Sequence, residues 1–358
     1  MFVRFAVVLT LLGFGAFAGC RSNGTVKPPS PARLEIPGQL TPETFPVVNY
    51  STSTSLVVQM IQASVWGLSP ELRRIGRGLF VTFPVTISAE RIEAYDRSLR
   101  RAVPIGTHQA YQHLTGEKKI AHDRPSYGPM IATIAGPGNA VDVEKPAELI
   151  VVARKPSPDE LKQAKELGVE LDVRPVALDA FVFLVHADNP VKSLSLEQIR
   201  GIFLGRITNW KQVGGSDQTI RPFSRNRNSG SEELMEELVM NGQKVIAGKD
   251  VDSLLETMSG VIDRVSSTPA GISYSVFFYA NYMNTAPSSR LLGVNGVAPT
   301  TQTIANHKYP LTAEVYVVTR KDLKKAAPAA RLRDWLLSPA GQKLISDSCY
   351  VPVTPERR

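Results

Sequence analysis

The alternation of short apolar runs with amphipathic stretches is the feature that most constrains the fold of this chain. Residues 149–153 read Leu-Ile-Val-Val-Ala, which is typical of a strand covered on both faces. Residues 157–168 follow, opening with Ser-Pro-Asp-Glu and ending in glycine, which is the pattern of a capped helix. Residues 169–176 and 180–185 are predicted to form two further strands and residues 314–319 another, and they alternate with other helical stretches. Strands alternating with helices predict an α/β fold with mostly parallel sheets, and a length of 358 residues predicts two domains or lobes.

Residues 225–231 carry the pattern of an anion-binding loop. They read Arg-Asn-Arg-Asn-Ser-Gly-Ser between an extended run and a stretch with helical spacing at 232–239. The first turn of a helix offers free N–H groups and the positive end of its dipole. Gly230 would let a ligand approach the backbone, while Arg225, Ser229 and Ser231 would add side-chain donors. The alternative is that Ser229 or Ser231 only caps the helix and the arginines are solvated.

Two other hydroxyl-bearing loops lead into helical stretches. Residues 51–55 are all serine or threonine and precede a buried helical pattern at 56–63, so Thr54 and Ser55 lie at its start. Thr107 precedes a shorter helical pattern at 109–114. Five consecutive hydroxyls exceed what one helix cap requires, although a solvated loop is the alternative.

The N-terminus resembles a bacterial lipoprotein signal. A basic start is followed by an apolar run at 5–17 and then by Phe-Ala-Gly-Cys, ending at Cys20. This implies a signal peptide at 1–19, a lipidated Cys20, and a flexible tether at 20–46 that anchors the chain to a membrane. Cys349 would be the other cysteine of the chain, so we expect no intramolecular disulfide in the lipidated protein. The alternative is ordinary secretion with cleavage elsewhere.

Several classes of function lack their motifs. The formal net charge of +8 comes from scattered residues without a basic tract, which argues against nucleic-acid binding. The sequence contains no Walker loop, no Gly-x-Ser-x-Gly elbow and no His-Glu-x-x-His helix. We therefore expect no enzyme activity, no metal and no cofactor, with a hydrolase of anionic esters left as a weaker alternative.

Four segments carry a combination of motifs: residues 194–215, the Arg-x-x-x-Ser-Gly-Ser of 225–231, and residues 271–275 and 338–343. Through this combination the chain resembles the substrate-binding lipoproteins of phosphate-specific ABC transporters. The resemblance runs over residues 48–353, with an insertion at 118–146 poorly matched. It implies a two-lobe, periplasmic-binding-protein-like clamp of type II with hinge strands between the lobes. Lobe 1 would comprise 47–175 and a return segment at 284–358, and lobe 2 would comprise 176–283.

The resemblance also implies a ligand, a set of binding residues and a partner. The ligand would be phosphate or a related tetrahedral oxyanion, and the partner an ABC permease in the cell envelope, outside the cytoplasm. The implied ligand-binding residues are Thr54, Ser55, Thr107, Arg154, Arg225, Ser229, Gly230 and Ser231.

Two positions depart from the family pattern. Arg227 and Arg154 stand where phosphate binders commonly carry acids, which favours a more highly charged ligand. A non-transport sensor or scaffold with the same clamp fold therefore stays open as an alternative.

Overall fold

The computed structural model describes residues 40, 44–68, 70–82, 95, 101–116, 146–227, 229–246, 254–255 and 257–353. The predicted signal peptide, the lipidation of Cys20 and most of the tether lie outside these residues, as does nearly all of the 118–146 insertion. Within the described ranges, no helix is both long enough and apolar enough to cross a membrane.

The elements alternate along the chain. The strands are β1 Val48–Tyr50, β2 Glu71–Ile75, β3 Gly78–Thr82, β4 Ala102–Pro104, β5 Leu149–Val152, β6 Leu171–His186, β7 Ser193–Leu194, β8 Arg221–Pro222, β9 Ser224–Arg225, β10 Leu254–Leu255, β11 Gly271–Val276, β12 Ser289–Val294, β13 Thr312–Arg320 and β14 Val351–Pro352. The helices are α1 Ser55–Val65, α2 Thr107–Thr115, α3 Pro158–Glu166, α4 Leu196–Phe203, α5 Gly230–Leu238, α6 Met258–Ser266, α7 Thr301–Ala305, α8 Pro328–Leu336 and α9 Pro339–Asp347. Short 3₁₀ turns cover Thr52–Thr54 and Trp210–Val213, and a π-helical turn covers Tyr279–Met283.

The main sheet has the order β4-β1-β5-β13-β6-β11-β8. β1 is parallel to both β4 and β5, whereas β13 is antiparallel to β5 and β6. β11 and β12 are also antiparallel to β6. The α/β class therefore agrees with the sequence, but the expectation of mostly parallel sheets is wrong for the centre, where the sheet is mixed.

The long strand β6 connects the two ends of this sheet. Its residues Leu171 to Ala180 pair with β13, and its residues Phe181 to His186 pair with β11 or β12. Successive partners on one strand explain why the two separate strands predicted at 169–176 and 180–185 form a single element. The lobe boundaries at 175/176 and 283/284 stay a prediction.

Core burial follows the apolar runs. All four residues of β5 and all six of β11 are buried, and so are the first ten residues of α1. Strands covered on both faces read as continuous apolar runs, so the sheet is enclosed by helices. At the start of α3, Ser157 and Glu160 form a capping box with proline at the first helical positions. These elements bring the ends of β1, β4 and β5 next to helix N-termini.

Cys349, which follows α9, is buried and disulfide-bonded. The expectation of no intramolecular disulfide concerns the lipidated chain. It stays a prediction, because the lipidation of Cys20 lies outside the described residues.

Asp179 is a fully buried carboxyl on β6, near the point where the pairing of this strand changes. Its Oδ1 accepts hydrogen bonds from the backbone N–H groups of Ala180 at 2.8 Å and Phe278 at 3.0 Å. Its Oδ2 is buried without a hydrogen-bond partner in the described structure. Burial raises the pKa of Asp179 from 3.8 to about 7, against the lowering effect of the two backbone hydrogen bonds.

We expect the free energy of unfolding to fall as pH rises from 3.8 to about 7. A raised pKa in the folded state means that the stabilising contribution is complete below 3.8 and is lost as pH rises through about 7. Asp179→Asn keeps the accepting oxygen and removes the charge, so its thermal midpoint should depend less on pH. Thermal unfolding between about pH 4 and about pH 8 measures this. Asp188→Asn, at a side chain that is 88% exposed, is the control. Parallel pH curves for Asp179→Asn and wild type would contradict the prediction.

Candidate functional site

The first hydroxyl loop runs from the end of β1 into α1. Thr54 is fully buried, and its hydroxyl lies 3.0 Å from the carbonyl of Ser51 and 2.8 Å from that of Val151. The Ser55 hydroxyl donates to the Thr52 carbonyl at 2.9 Å. Both predicted hydroxyls therefore bind backbone carbonyls. No side chain caps the N-terminus of α1, so a ligand here would meet backbone N–H groups.

The second loop joins β4 to α2. Gly106 has φ 84° and is the N-cap of α2, a position that favours glycine and provides no capping side chain. Thr107 is the first residue of α2 and is buried. The glycine thus leaves the N-terminus of α2 accessible beside a threonine hydroxyl.

Arg154, three residues after Val151, is buried and paired. Its two terminal nitrogens donate to the two carboxylate oxygens of Glu160, each at 2.8 Å, and the two side chains are 2% and 1% exposed. His108 lies 2.9 Å from the same carboxylate. Burial raises the pKa of Glu160, but the hydrogen bonds from Arg154 and His108 outweigh it and hold this pKa below its ordinary value.

The pairing with Glu160 limits what Arg154 can offer a ligand. Arg154 is not a solvated cation at the end of a strand: two of its five N–H donors bind the Glu160 carboxylate, and a third binds the carbonyl of Lys155 at 2.8 Å. Its Nε is buried without a hydrogen-bond partner in the described structure. The predicted role of Arg154 in ligand binding therefore stays a prediction.

The third loop leads from β9 into α5. The Ser229 hydroxyl accepts a hydrogen bond from the backbone N–H of Glu232 at 3.2 Å, so Ser229 caps the helix as the simpler interpretation predicts. Arg225 is 6% exposed, and its Nε donates to the Leu255 carbonyl at 3.0 Å. Ser231 is buried in the first turn of α5, whereas Arg227 is exposed. Arg225 and Ser231 thus lie inside the protein and Arg227 lies at its surface.

Sequence reasoning missed two residues that hold this loop together. The Tyr274 hydroxyl on β11 accepts the backbone N–H of Arg225 at 2.9 Å and donates to the carboxylate of Glu232. Burial lowers the pKa of the Arg225 guanidinium, and Tyr274, Tyr279 and Glu232 oppose that shift. Tyr274 belongs to the 271–275 motif, so the resemblance could have indicated its importance but not its contacts.

The second and third loops meet directly. A Cβ built on Gly230 would lie 2.9 Å from the hydroxyl oxygen of Thr107 and 3.6 Å from its Cβ. Glu233 lies one helical turn after Gly230. Burial raises the pKa of Glu233, and Arg154 and His108 are close enough to it to oppose that rise. The N-termini of α2 and α5 therefore lie side by side, with hydroxyl and backbone donors of both loops at one place.

The groups at this place are ones that an anion site would use. The structure brings together Thr107, Gly230 and the first turn of α5, with Arg225 at the start of the same loop. No cluster of metal-ligating side chains occurs among the residues that the structure describes. Fixed N–H and hydroxyl donors beside a buried arginine suit a small oxyanion.

The chain is similar to known proteins over much of its length. The family model for the PBP superfamily domain matches residues 108–340. The phosphate-binding protein PstS of Bacillus subtilis (strain 168) is 31% identical over 181 residues, which are 50% of this chain and 57% of that protein. The PstS of Borreliella burgdorferi is 28% identical over 55% of this chain and 71% of that protein. The chain thus spans little more than half of the length of the first of these relatives.

A solved structure is similar over most of both chains. The ABC-type phosphate transport receptor from Vibrio cholerae has a TM-score of 0.54 at 19% identity, covering 86% of this chain and 99% of that one. At this identity the likeness concerns the fold, and it confirms the α/β architecture expected from the sequence resemblance.

Proposed function

We propose, because this chain belongs to the PBP superfamily, that it is an extracytoplasmic binding protein that captures phosphate for an ABC importer. Its curated relatives carry the name phosphate-binding protein, and its solved neighbour is called a phosphate transport receptor. The chain itself performs no chemistry in this proposal. Binding closes the two lobes around the anion, and the closed form is the one that a permease recognises.

The contact between Thr107 and Gly230 is the observation that carries the proposal. It places two helix N-termini from distant parts of the chain at one point, with buried Arg225 at the start of the second loop. A tetrahedral oxyanion has many acceptor lone pairs, and donors that are fixed on two sides can satisfy them together. Ser231 and the backbone N–H groups of α5 complete the second side of the proposed site.

Isothermal titration calorimetry with the purified protein tests the ligand. We expect one phosphate to bind per chain, with sulfate and phosphonates binding more weakly. The absence of heat with each of these oxyanions would refute the proposed function. A thermal shift with phosphate at 100 times its Kd should correspond to about 2.7 kcal/mol of added stability, which gives an independent measurement.

The membrane anchor is a separate part of the proposal. A lipid attached to the sulfur of Cys20 and a disulfide at the same sulfur exclude each other. The intact mass of the mature protein from membranes distinguishes a diacylated chain that begins at residue 20 from an unlipidated one. Release of the unlipidated form into the soluble fraction would refute the anchor and leave the binding function in place.

A further inference from the structure

Two buried carboxylates offset the two buried arginines of the proposed site. Glu160 is 1% exposed and binds both terminal nitrogens of Arg154. Glu232 is 3% exposed and lies one residue after Ser231, in the first turn of α5. A single hydroxyl, that of Tyr274, links the Glu232 carboxylate to the backbone N–H of Arg225. The region therefore carries much less positive charge than its two arginines suggest.

Tyr274 fixes where the charge of Glu232 lies. Its hydroxyl joins the first residue of the anion loop, Arg225, to the helix turn that follows the loop. Ser229, Gly230 and Ser231 lie between these two ends, so the carboxylate is held within one helical turn of the proposed donors. A carboxylate at a helix N-terminus is stabilised by the same dipole that would attract the ligand.

We propose that Glu232 is a specificity-determining residue that makes this site prefer singly charged over doubly charged oxyanions. This inference rests on the proposed function. Repulsion between a fixed buried carboxylate and a bound anion grows in proportion to the charge of the anion. A dianion is therefore penalised about twice as much as a monoanion at the same position. The preference is opposite to the one that Arg154 and Arg227 suggest in the sequence.

Among the residues that the structure describes, Arg225 on β9 and Tyr274 on β11 face Glu232. His108, Arg154 and Glu160 lie towards the neighbouring Glu233. Phosphate changes from monoanion to dianion near neutral pH, whereas sulfate is a dianion throughout that range. The ratio of the two affinities at each pH therefore separates ionisation of the ligand from pH effects on the protein.

The test is the affinity for phosphate and for sulfate at about pH 6 and about pH 8, for wild type, Glu232→Gln, Glu232→Asp and Glu237→Gln. Gln keeps an oxygen that can accept from Tyr274, Asp keeps the charge, and Glu237 is an exposed carboxylate on the same helix.

We expect wild-type phosphate affinity, relative to sulfate affinity, to fall between the lower and the higher pH. In Glu232→Gln, sulfate affinity should rise about tenfold and monobasic phosphate affinity about threefold. Glu232→Asp and Glu237→Gln should keep the wild-type selectivity.

Each outcome decides for or against the inference. An equal change for both anions at both pH values in Glu232→Gln would show that Glu232 is only structural, and would overturn it. If Glu232→Gln does not fold, the wild-type protein decides. A ratio of phosphate affinity to sulfate affinity that stays constant or rises between the lower and the higher pH overturns the inference. Wild-type protein that binds neither anion would instead refute the proposed function, and the inference with it.

Discussion

Replacing Arg225 with alanine should reduce phosphate affinity by at least about a thousandfold, which corresponds to about 4.1 kcal/mol. Arg225 is the buried cation of the anion loop, and charge-assisted hydrogen bonds contribute about 1.5–3 kcal/mol each. Its removal also leaves the buried Glu232 carboxylate without the compensating charge of Arg225, so the empty loop becomes repulsive to anions. Titration calorimetry of the variant measures the loss.

Arg227 provides the matched control for this substitution. It lies in the same loop, two residues later, and is exposed. Arg227→Ala removes the same charge and should change affinity by less than about threefold. Because Arg225→Ala also removes the positive charge that opposes the buried carboxylate of Glu232, its thermal midpoint should fall. The double variant Arg225→Ala/Glu232→Gln should recover part of that fall without recovering affinity. Similar affinities for Arg225→Ala and Arg227→Ala would remove Arg225 from the site.

Local signals in the sequence predict the helix starts well. The Ser-Pro-Asp-Glu pattern at 157–160 begins α3, and Ser229, the first serine of the Ser-Gly-Ser motif, is the N-cap of α5. Caps and apolar periodicity act within one turn, so a single sequence contains them. Sheet direction and the continuity of β6 depend on which distant strands become neighbours. Both were therefore predicted incorrectly.

The candidate site shows the same division between local and distant information. The three loops were identified because each is a short polar segment before a helix. The partners that set their electrostatics were not, since Tyr274 is 49 residues from Arg225 and 42 from Glu232. Arg154 and Glu160 are only six residues apart, but their pairing depends on the turn between β5 and α3. The sequence indicates where the donors are, whereas the balance of charge is a property of the folded chain.

Gly230→Ala should weaken phosphate binding about thirtyfold, or about 2 kcal/mol, while leaving the fold intact. The added methyl group would lie 2.9 Å from the Thr107 hydroxyl oxygen, which is closer than the two atoms can approach. The loops before α2 and α5 must therefore move apart, and the donors on the two sides no longer fit one anion. Alanine is a better helix former than glycine, so the thermal midpoint should stay the same or rise. Calorimetry and thermal unfolding of the variant measure the two effects separately.

A double-mutant cycle with Thr107 identifies the cause of that loss. Thr107→Ala removes the oxygen at 2.9 Å and leaves a Cβ at 3.6 Å, which is an ordinary contact. In this background Gly230→Ala should cost less than about threefold, giving a coupling of more than about 1 kcal/mol between the two positions. Thr107→Ser retains the oxygen and should retain most of the penalty. An equal cost of Gly230→Ala in all three backgrounds would mean that the two loops do not press on each other in the liganded protein, and the two-sided anion site would have to be placed elsewhere.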